Sequence, residues 1–308
     1  MDKLSINMVE SVDIDNKNYP ENLKEALKML PLSLGAKKLY YKGSWSDDIF
    51  KNCLAVVGSR RLTSYGRRAT EQIVTECAAA GITIVSGFMY GGDEAAHSAC
   101  VRAGGRTIAV MPCGIDLVFP PTQKDLYQKI LDTGGLIISE YEPGFKPVTY
   151  SFIQRDRIVA GFSKAVLVTE ASLNSGSLIT AKYAKQMNKK IFALPGQISS
   201  DVSKGTIKLI REGAEAVSEP NDVLSYFKVL VNPKKSGSPS SAKKSARSDL
   251  APTASLEDKI LDQLSRESMK ADDLARLFAV PVAHLGTTLT MMQLKGLINL
   301  EDQKYYLN

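Results

Sequence analysis

Between Cys53 and about Phe227 the hydrophobic residues fall into short, nearly unbroken runs. They are CLAVV (53–57), ITIVS (82–86), RTIAVM (106–111), GLIIS (135–139), KAVLVTE (164–170) and KIFAL (190–194). Runs this short and this apolar predict strands buried on both faces of a parallel sheet. Between them, apolar residues return every three or four positions, as in YGRRATEQIVTECAAAG (65–81) and SLITAKYAKQMN (177–188). That period predicts amphipathic helices. The alternation predicts right-handed β-α-β units and a doubly wound, mostly parallel α/β sheet.

The pattern lapses over 233–253, PKKSGSPSSAKKSARSDLAPT, which is rich in Ser, Pro, Lys and Ala. Nothing in it can bury enough surface to offset ordering entropy, so it reads as a flexible basic linker. Periodicity resumes over 254–308. SLEDKILDQLSRE gathers Leu256, Ile260, Leu261 and Leu264 on one side of a helix, with Ser255 as its N-cap. MKADDLARLFAV, a break at Pro281, HLGTTLTMMQLKG (284–296) and two β-like stretches follow, in the order of a winged helix. Four segments result: a lead-in over 1–50, the α/β domain over 51–232, the linker over 233–253 and the winged-helix-like module over 254–308.

Charge separates these segments. Residues 51–232 carry 21 basic and 16 acidic groups, and 233–253 carry five and one. The last segment carries six basic and eight acidic groups, and its second helix offers Lys295 as its one strong cation. A helix that reads DNA needs several cationic or amide side chains, so this module is expected to touch protein or simply to pack. The positive excess of the α/β domain suits a phosphate polymer without saying which.

Other classes drop out. No apolar run approaches a membrane span and MDKLSINMVE lacks a signal-peptide core, which points to the cytoplasm. Cys53, Cys77, Cys100 and Cys113 form no C-x-x-C pair, and His97 and His284 are the available imidazoles. Small core side chains are expected, with no metal and no cofactor.

Ligands of open parallel sheets bind beyond the carboxyl ends of the strands. In the first such turn, VVGSRRLTSYGRR (56–68), Gly58 turns off the strand, Ser59 can donate, and Arg60 and Arg61 suit phosphate oxygens. It lacks both G-x-G-x-x-G and G-K-[ST], so dinucleotide and ATP binding are unsupported. The second, VSGFMYGGDEAAHSA (85–99), offers Gly87 for close approach, while Asp93 and Glu94 read as first-turn helix charges and His97 as packed. In EYEPGFKPVTYSFIQRDRIVAGFS (140–163), Lys146, Tyr150, Phe152, Arg155 and Arg157 interleave cations with aromatics, as a single strand requires. An equally weighted reading buries Phe152 and pairs Arg157 with Asp156 or Glu140. The fourth turn presents Ser175, Gly176 and Ser177 as an anion nest at a helix start. In the fifth, Pro195 and Gly196 end a strand and Lys204 opens a helix.

Taken together these loops resemble the DNA-processing protein A (Smf) family. The resemblance rests on Gly58-Ser59-Arg60, Ser86-Gly87 with Asp93 to His97, and GGRTIAVMPCGIDLVFPP (104–121). It extends to ISEYEPG (138–144), FIQRDRIVAGFS (152–163), TEASLNSGSLITAKYA (169–184), ALPGQI (193–198) and LIREGAEAV (209–217). The stretch from Asn18 to Gly43 and the C-terminal module are similar to the family as well. The resemblance implies an extended Rossmann-like fold that binds single-stranded DNA, dimerises and loads the RecA recombinase in natural transformation and recombination. It implies phosphate contacts from Gly58, Ser59, Arg60, Ser175, Gly176 and Ser177, and a base on Phe152 near Arg155 and Arg157. Tyr90, Gly92, Ile153 and Asp156 depart from the family's Arg, Ile, Pro and Asn, and its N-terminal helical domain has no evident counterpart here. Two other readings are a nucleotide phosphoribohydrolase and a scaffold with weakened DNA binding. The first lacks a carboxylate between Asn174 and Lys182, where that chemistry needs one.

Overall fold

The structure is a computed structural model that describes residues 9–228, 256–266, 268–301 and 303–307. The chain divides into two compact units, Met1–Lys235 and Ser236–Asn308. The linker expected at 233–253 and the Ser255 cap lie outside the described residues.

The first unit opens with β1 (Glu10–Asp13), α1 (Glu21–Lys28) and β2 (Lys38–Gly43). The alternating core follows as β3 (Cys53–Val57), α2 (Ser64–Ala79), β4 (Thr83–Ser86), α3 (Gly92–Arg102) and β5 (Thr107–Val110). It continues through α4 (Lys124–Asp132), β6 (Leu136–Ser139), α5 (Thr149–Phe162), β7 (Ala165–Val168) and α6 (Ser177–Gln186). The unit closes with β8 (Lys190–Ala193), α7 (Lys204–Arg211), β9 (Glu215–Ala216) and α8 (Pro220–Tyr226). All six predicted strands form where the apolar runs stand. Those from β3 to β7 are buried at every position, because helices cover both faces of the sheet.

The sheet order is β1-β2-β6-β5-β4-β3-β7-β8-β9, parallel from β6 to β9. β2 runs antiparallel to β6, and β1 antiparallel to β2. The lead-in therefore extends the main sheet, which makes the fold a doubly wound, mostly parallel α/β sheet with an antiparallel edge. Successive β residues face opposite layers. Ala55, Val57, Val166 and Val168 meet Leu23, Ile158 and Ala181 of α1, α5 and α6. Leu54, Val56 and Leu167 meet Ile73, Ala96 and Val223 of α2, α3 and α8. Cys53, Cys77, Cys100 and Cys113 are buried core side chains. His97 is also packed, with Nδ1 at 2.8 Å from Thr107 Oγ1, and burial holds its pKa down to about 3.

From β3 the chain winds outward through β4, β5 and β6, then returns to add β7 on the other side of β3. The carboxyl ends of β3 and β7 thus flank a topological switch point, where two loops diverge and leave a crevice.

The second unit holds α9 (Leu256–Arg266), α10 (Ala271–Phe278), α11 (Val282–Leu294) and the antiparallel pair β10 (Ile298–Glu301) and β11 (Lys304–Leu307). Ile260, Leu264, Leu274, Leu285, Leu289, Met292 and Ile298 form its core. This is the predicted three-helix and hairpin order. Lys295 Nζ lies 3.0 Å from the Glu257 carboxylate, so the cation of this helix is already paired. Among the described residues no single helix is long and apolar enough to cross a membrane.

Candidate nucleic-acid interface

A cleft of about 360 Å³ opens at the switch point between the β3–α2 and β7–α6 loops. Its walls are Gly58, Ser59, Arg60 and Arg61 on one side and Asn174, Ser175, Gly176 and Ser177 on the other. Gly87, Met89, Asp93 and Asp156 also line it. A second cleft of about 290 Å³ shares Arg60, Asp156 and Gly176 with the first and adds Thr149, Phe152, Ile153 and Ile179. The first chamber is the more polar of the two and the second largely apolar, with Arg60 lining both.

The polar chamber is rigidly framed. Ser59 donates its backbone N–H to the Glu170 carbonyl at 2.7 Å, and Gly92 N–H to the Ser59 carbonyl at 3.1 Å. The buried Glu170 carboxylate accepts from Thr63 N–H at 2.8 Å and from Thr63 Oγ1 at 2.5 Å, which ties the end of the β3–α2 loop to β7. Thr63 in turn caps α2 by accepting from Gly66 N–H at 3.1 Å. A Cβ on Gly58 would strike Thr169 Oγ1, and one on Gly92 would lie 2.6 Å from Gly58 Cα. Glycine at both positions lets the start of α3 press against the end of β3. Across the cleft, Ser175 and Ser177 hydroxyls lie 2.7 Å apart at the start of α6, the positive end of its dipole, an arrangement that suits an anion.

Arg60 and Arg61 are exposed. The Arg60 guanidinium carbon lies 5.3 Å from the Phe152 ring centroid, in cation–π contact. Phe152 is half-buried and also meets Phe119 edge-on at 5.8 Å. One guanidinium therefore holds both a phosphate-sized opening and an aromatic face.

Arg155 and Arg157 are elsewhere. Each side chain is buried, with Arg155 4% and Arg157 3% exposed, which corrects the expectation that they meet DNA. Arg155 Nη1 donates to the Gly87 carbonyl and, at 2.8 Å, to the Val110 carbonyl, while Nε reaches Asp156 Oδ1 at 3.1 Å. Arg157 grips Glu140 with both nitrogens at 2.8 and 2.6 Å, and donates to the Leu34 and Gln154 carbonyls at 2.5 and 2.7 Å. Most of their donors are committed, because α5 crosses the sheet beneath the loops, where strand-end carbonyls need partners. Gly87 lines the cleft, but a Cβ there would run into the Arg155 guanidinium, so its small size also serves the interior. Lys146 is exposed beside the stacked pair Tyr141–Phe145 and lines neither cleft.

The sequence singled out Asp156 as a departure from the family's Asn but did not place Asp93 beside it on one acidic floor. Asp93 does sit in the first turn of α3, yet it is buried and lines the cleft, accepting from Met89 N–H at 3.3 Å. Burial pushes its carboxyl up. Asp156 is pushed up to about 7, chiefly by burial, with Arg155 opposing and Asp93 reinforcing. The signal available in the sequence was Asp156 itself, a carboxylate between two arginines just before the apolar run IVAGF. Tyr90, at the family's Arg position, is exposed with its hydroxyl 3.3 Å from Thr122 Oγ1.

Fold and cleft together define a Rossmann-like protein with an arginine- and serine-lined crevice at its switch point, in a chain that also carries a winged-helix unit. The sequence profile described as DNA recombination-mediator protein A matches residues 10–228, and that of the DprA winged helix domain matches 244–301. The chain belongs to the DNA recombination-mediator protein A family, also named DprA or Smf. Protein Smf of Synechocystis sp. is 33% identical over 321 residues, covering 95% of this chain and 78% of that protein. DNA processing protein DprA of Streptococcus pneumoniae is 40% identical over 189 residues, covering 61% of this chain and 66% of that one. The X-ray structure of the pneumococcal protein aligns with TM-score 0.64 at 37% identity, over 72% of this chain and 75% of that chain. DNA processing protein A from Helicobacter pylori, which binds single-stranded DNA, aligns with TM-score 0.61 at 30% identity, over 71% and 96%.

Proposed function

We propose that this chain binds single-stranded DNA across the two joined clefts and, as a homodimer, loads the RecA recombinase onto it during natural transformation and recombination. The observation that carries the binding is Arg60, which faces the polar cleft and stacks on Phe152 at 5.3 Å. A phosphate fits among Gly58, Ser59, Arg60 and the Ser175–Gly176–Ser177 turn, with Gly87 behind it, and its base fits against Phe152. That pairing of cation and aromatic face is what single strands use, since a duplex keeps its bases stacked inside. Lys146, exposed next to Phe145 and outside both clefts, would add a cation for flanking phosphates. The Helicobacter pylori relative supports the choice of single-stranded DNA, while RecA and the dimer rest on family membership. Glu170 is committed to Thr63, so the reading assigns binding and no reaction. In this reading the protein works in the cytoplasm.

The test is a titration of labelled oligo-dT and of duplex DNA at two salt concentrations. Single strands should bind more tightly, with affinity falling as salt rises. Arg60→Ala should weaken binding to every sequence and reduce the log–log salt slope by about 0.7 for one lost phosphate contact. Absence of binding at low salt would refute the reading.

A further inference from the structure

The seam between the two clefts holds a carboxylate where a phosphate polymer would favour a neutral or positive group. Asp156 lines both clefts, and 14% of its side chain remains open to them. Its orientation is set from below, since Oδ1 accepts from Arg155 Nε at 3.1 Å and Arg155 is itself fixed by the Gly87 and Val110 carbonyls. On the apolar side its neighbours are Phe152, Ile153 and Ile179. A base stacked on Phe152 would present an edge to this carboxylate.

We propose that Asp156 reads that edge and makes the subsite favour guanine and disfavour thymine. The proposal rests on the single-strand reading above. An ionised carboxylate accepts hydrogen bonds and donates none. Unstacked bases expose their Watson–Crick edges. Guanine offers N1–H and the 2-amino group side by side, two parallel donors for two oxygens. Thymine offers one N3–H between two carbonyl oxygens, both of which the carboxylate repels. Adenine and cytosine each set one amino donor beside a ring-nitrogen lone pair and fall between. Asparagine at this position would present both a donor and an acceptor and would accommodate thymine. The choice of aspartate therefore adds discrimination to a site otherwise indifferent to sequence.

Protonation state supplies a second signature. Burial holds the Asp156 carboxyl at about 7, with Asp93 of α3 pushing it up and Arg155 and Arg60 pulling it down. The neutral acid has an O–H to donate to a thymine carbonyl, so discrimination should narrow as pH falls below 7.

The experiment is fluorescence titration of the full chain with labelled oligonucleotides of one length. They are oligo-dT and the same strand with every third thymine replaced by guanine or by hypoxanthine, which lacks the 2-amino group. At pH 8.5 the guanine strand should bind on the order of tenfold more tightly than oligo-dT, the scale of one two-bond base contact. The hypoxanthine strand should lie between, and the ratio should shrink at pH 6. Asp156→Asn should bring the ratio close to one. Intact oligo-dT binding with no guanine preference at pH 8.5 would overturn the proposal and leave single-strand binding standing. So would a hypoxanthine strand as tight as the guanine strand, a measurement that needs no variant. A preference that survives in folded Asp156→Asn would also overturn it. No binding to any strand at low salt would remove both readings.

Discussion

Truncating Arg157 to alanine separates a cation that holds the fold from Arg60, the one proposed to hold DNA. The guanidinium makes a two-pronged pair with Glu140 at 2.8 and 2.6 Å, and the two side chains are 3% and 13% exposed. It also satisfies the Leu34 carbonyl, tying the loop before β2 to α5. Alanine leaves the Glu140 carboxylate in a low-dielectric site without its partner. Breaking a buried pair from one side costs about 3–5 kcal/mol. Whole domains hold about 5–15 kcal/mol, so this is a large fraction of the total. With a urea slope of about 3 kcal/mol/M, the unfolding midpoint should fall by roughly 1–1.7 M.

The chain supplies its own probe. Trp45 is the single tryptophan, and its ring lies 4.1 Å from Tyr41 and 5.0 Å from Phe50, within the same unit as Arg157. Its fluorescence therefore follows unfolding of that unit without interference from the winged helix. In urea concentrations where Arg157→Ala remains folded, its affinity for oligo-dT should stay within about twofold of wild type. Arg60→Ala should show the reverse, with a midpoint shifted by no more than about 0.5 kcal/mol, as exposed substitutions usually are, and weakened DNA binding. Arg157→Lys keeps the charge but loses the fork, and should fall between. An Arg157→Ala protein with wild-type stability and lost DNA binding would refute the burial argument and return Arg157 to the interface.

Two further predictions concern the cleft. Phe152→Ala removes the aromatic face, and should cost about 1–3 kcal/mol of single-strand affinity while leaving the salt slope unchanged, measured by titration at several ionic strengths. For Asp156 the folded carboxyl sits at about 7 against an ordinary 3.8, so the folded state binds the proton more tightly. Its contribution to stability is then full below about 3.8 and lost as pH rises through 7. Melting temperatures of wild type and Asp156→Asn from pH 5 to 8 should diverge in favour of the variant as pH rises. A constant gap would show that Asp156 does not titrate there.

What could be read in advance follows from burial. The strands from β3 to β7 announced themselves because both faces are covered, which forces nearly continuous apolar runs. β1 and β2 did not, since they form the edge and are largely exposed or half-buried, so their sequences ESVD and KLYYKG carry no such run. Topology located the site better than composition did. Loops beyond the ends of β3 and β7 had to flank the crevice, and Gly58–Arg61 and Ser175–Ser177 do. The arginines of α5 misled because cations near aromatics describe a binding surface only if the helix has a solvent face. From Arg155 to Phe162 this helix is buried at every position except the half-buried Asp156. The run IVAGF directly after Arg157 already implied as much, since a helix apolar all round lies inside, where an arginine must find fixed partners. Arg60 escapes that constraint because it stands on a loop, and it is the arginine whose guanidinium meets both the polar cleft and Phe152.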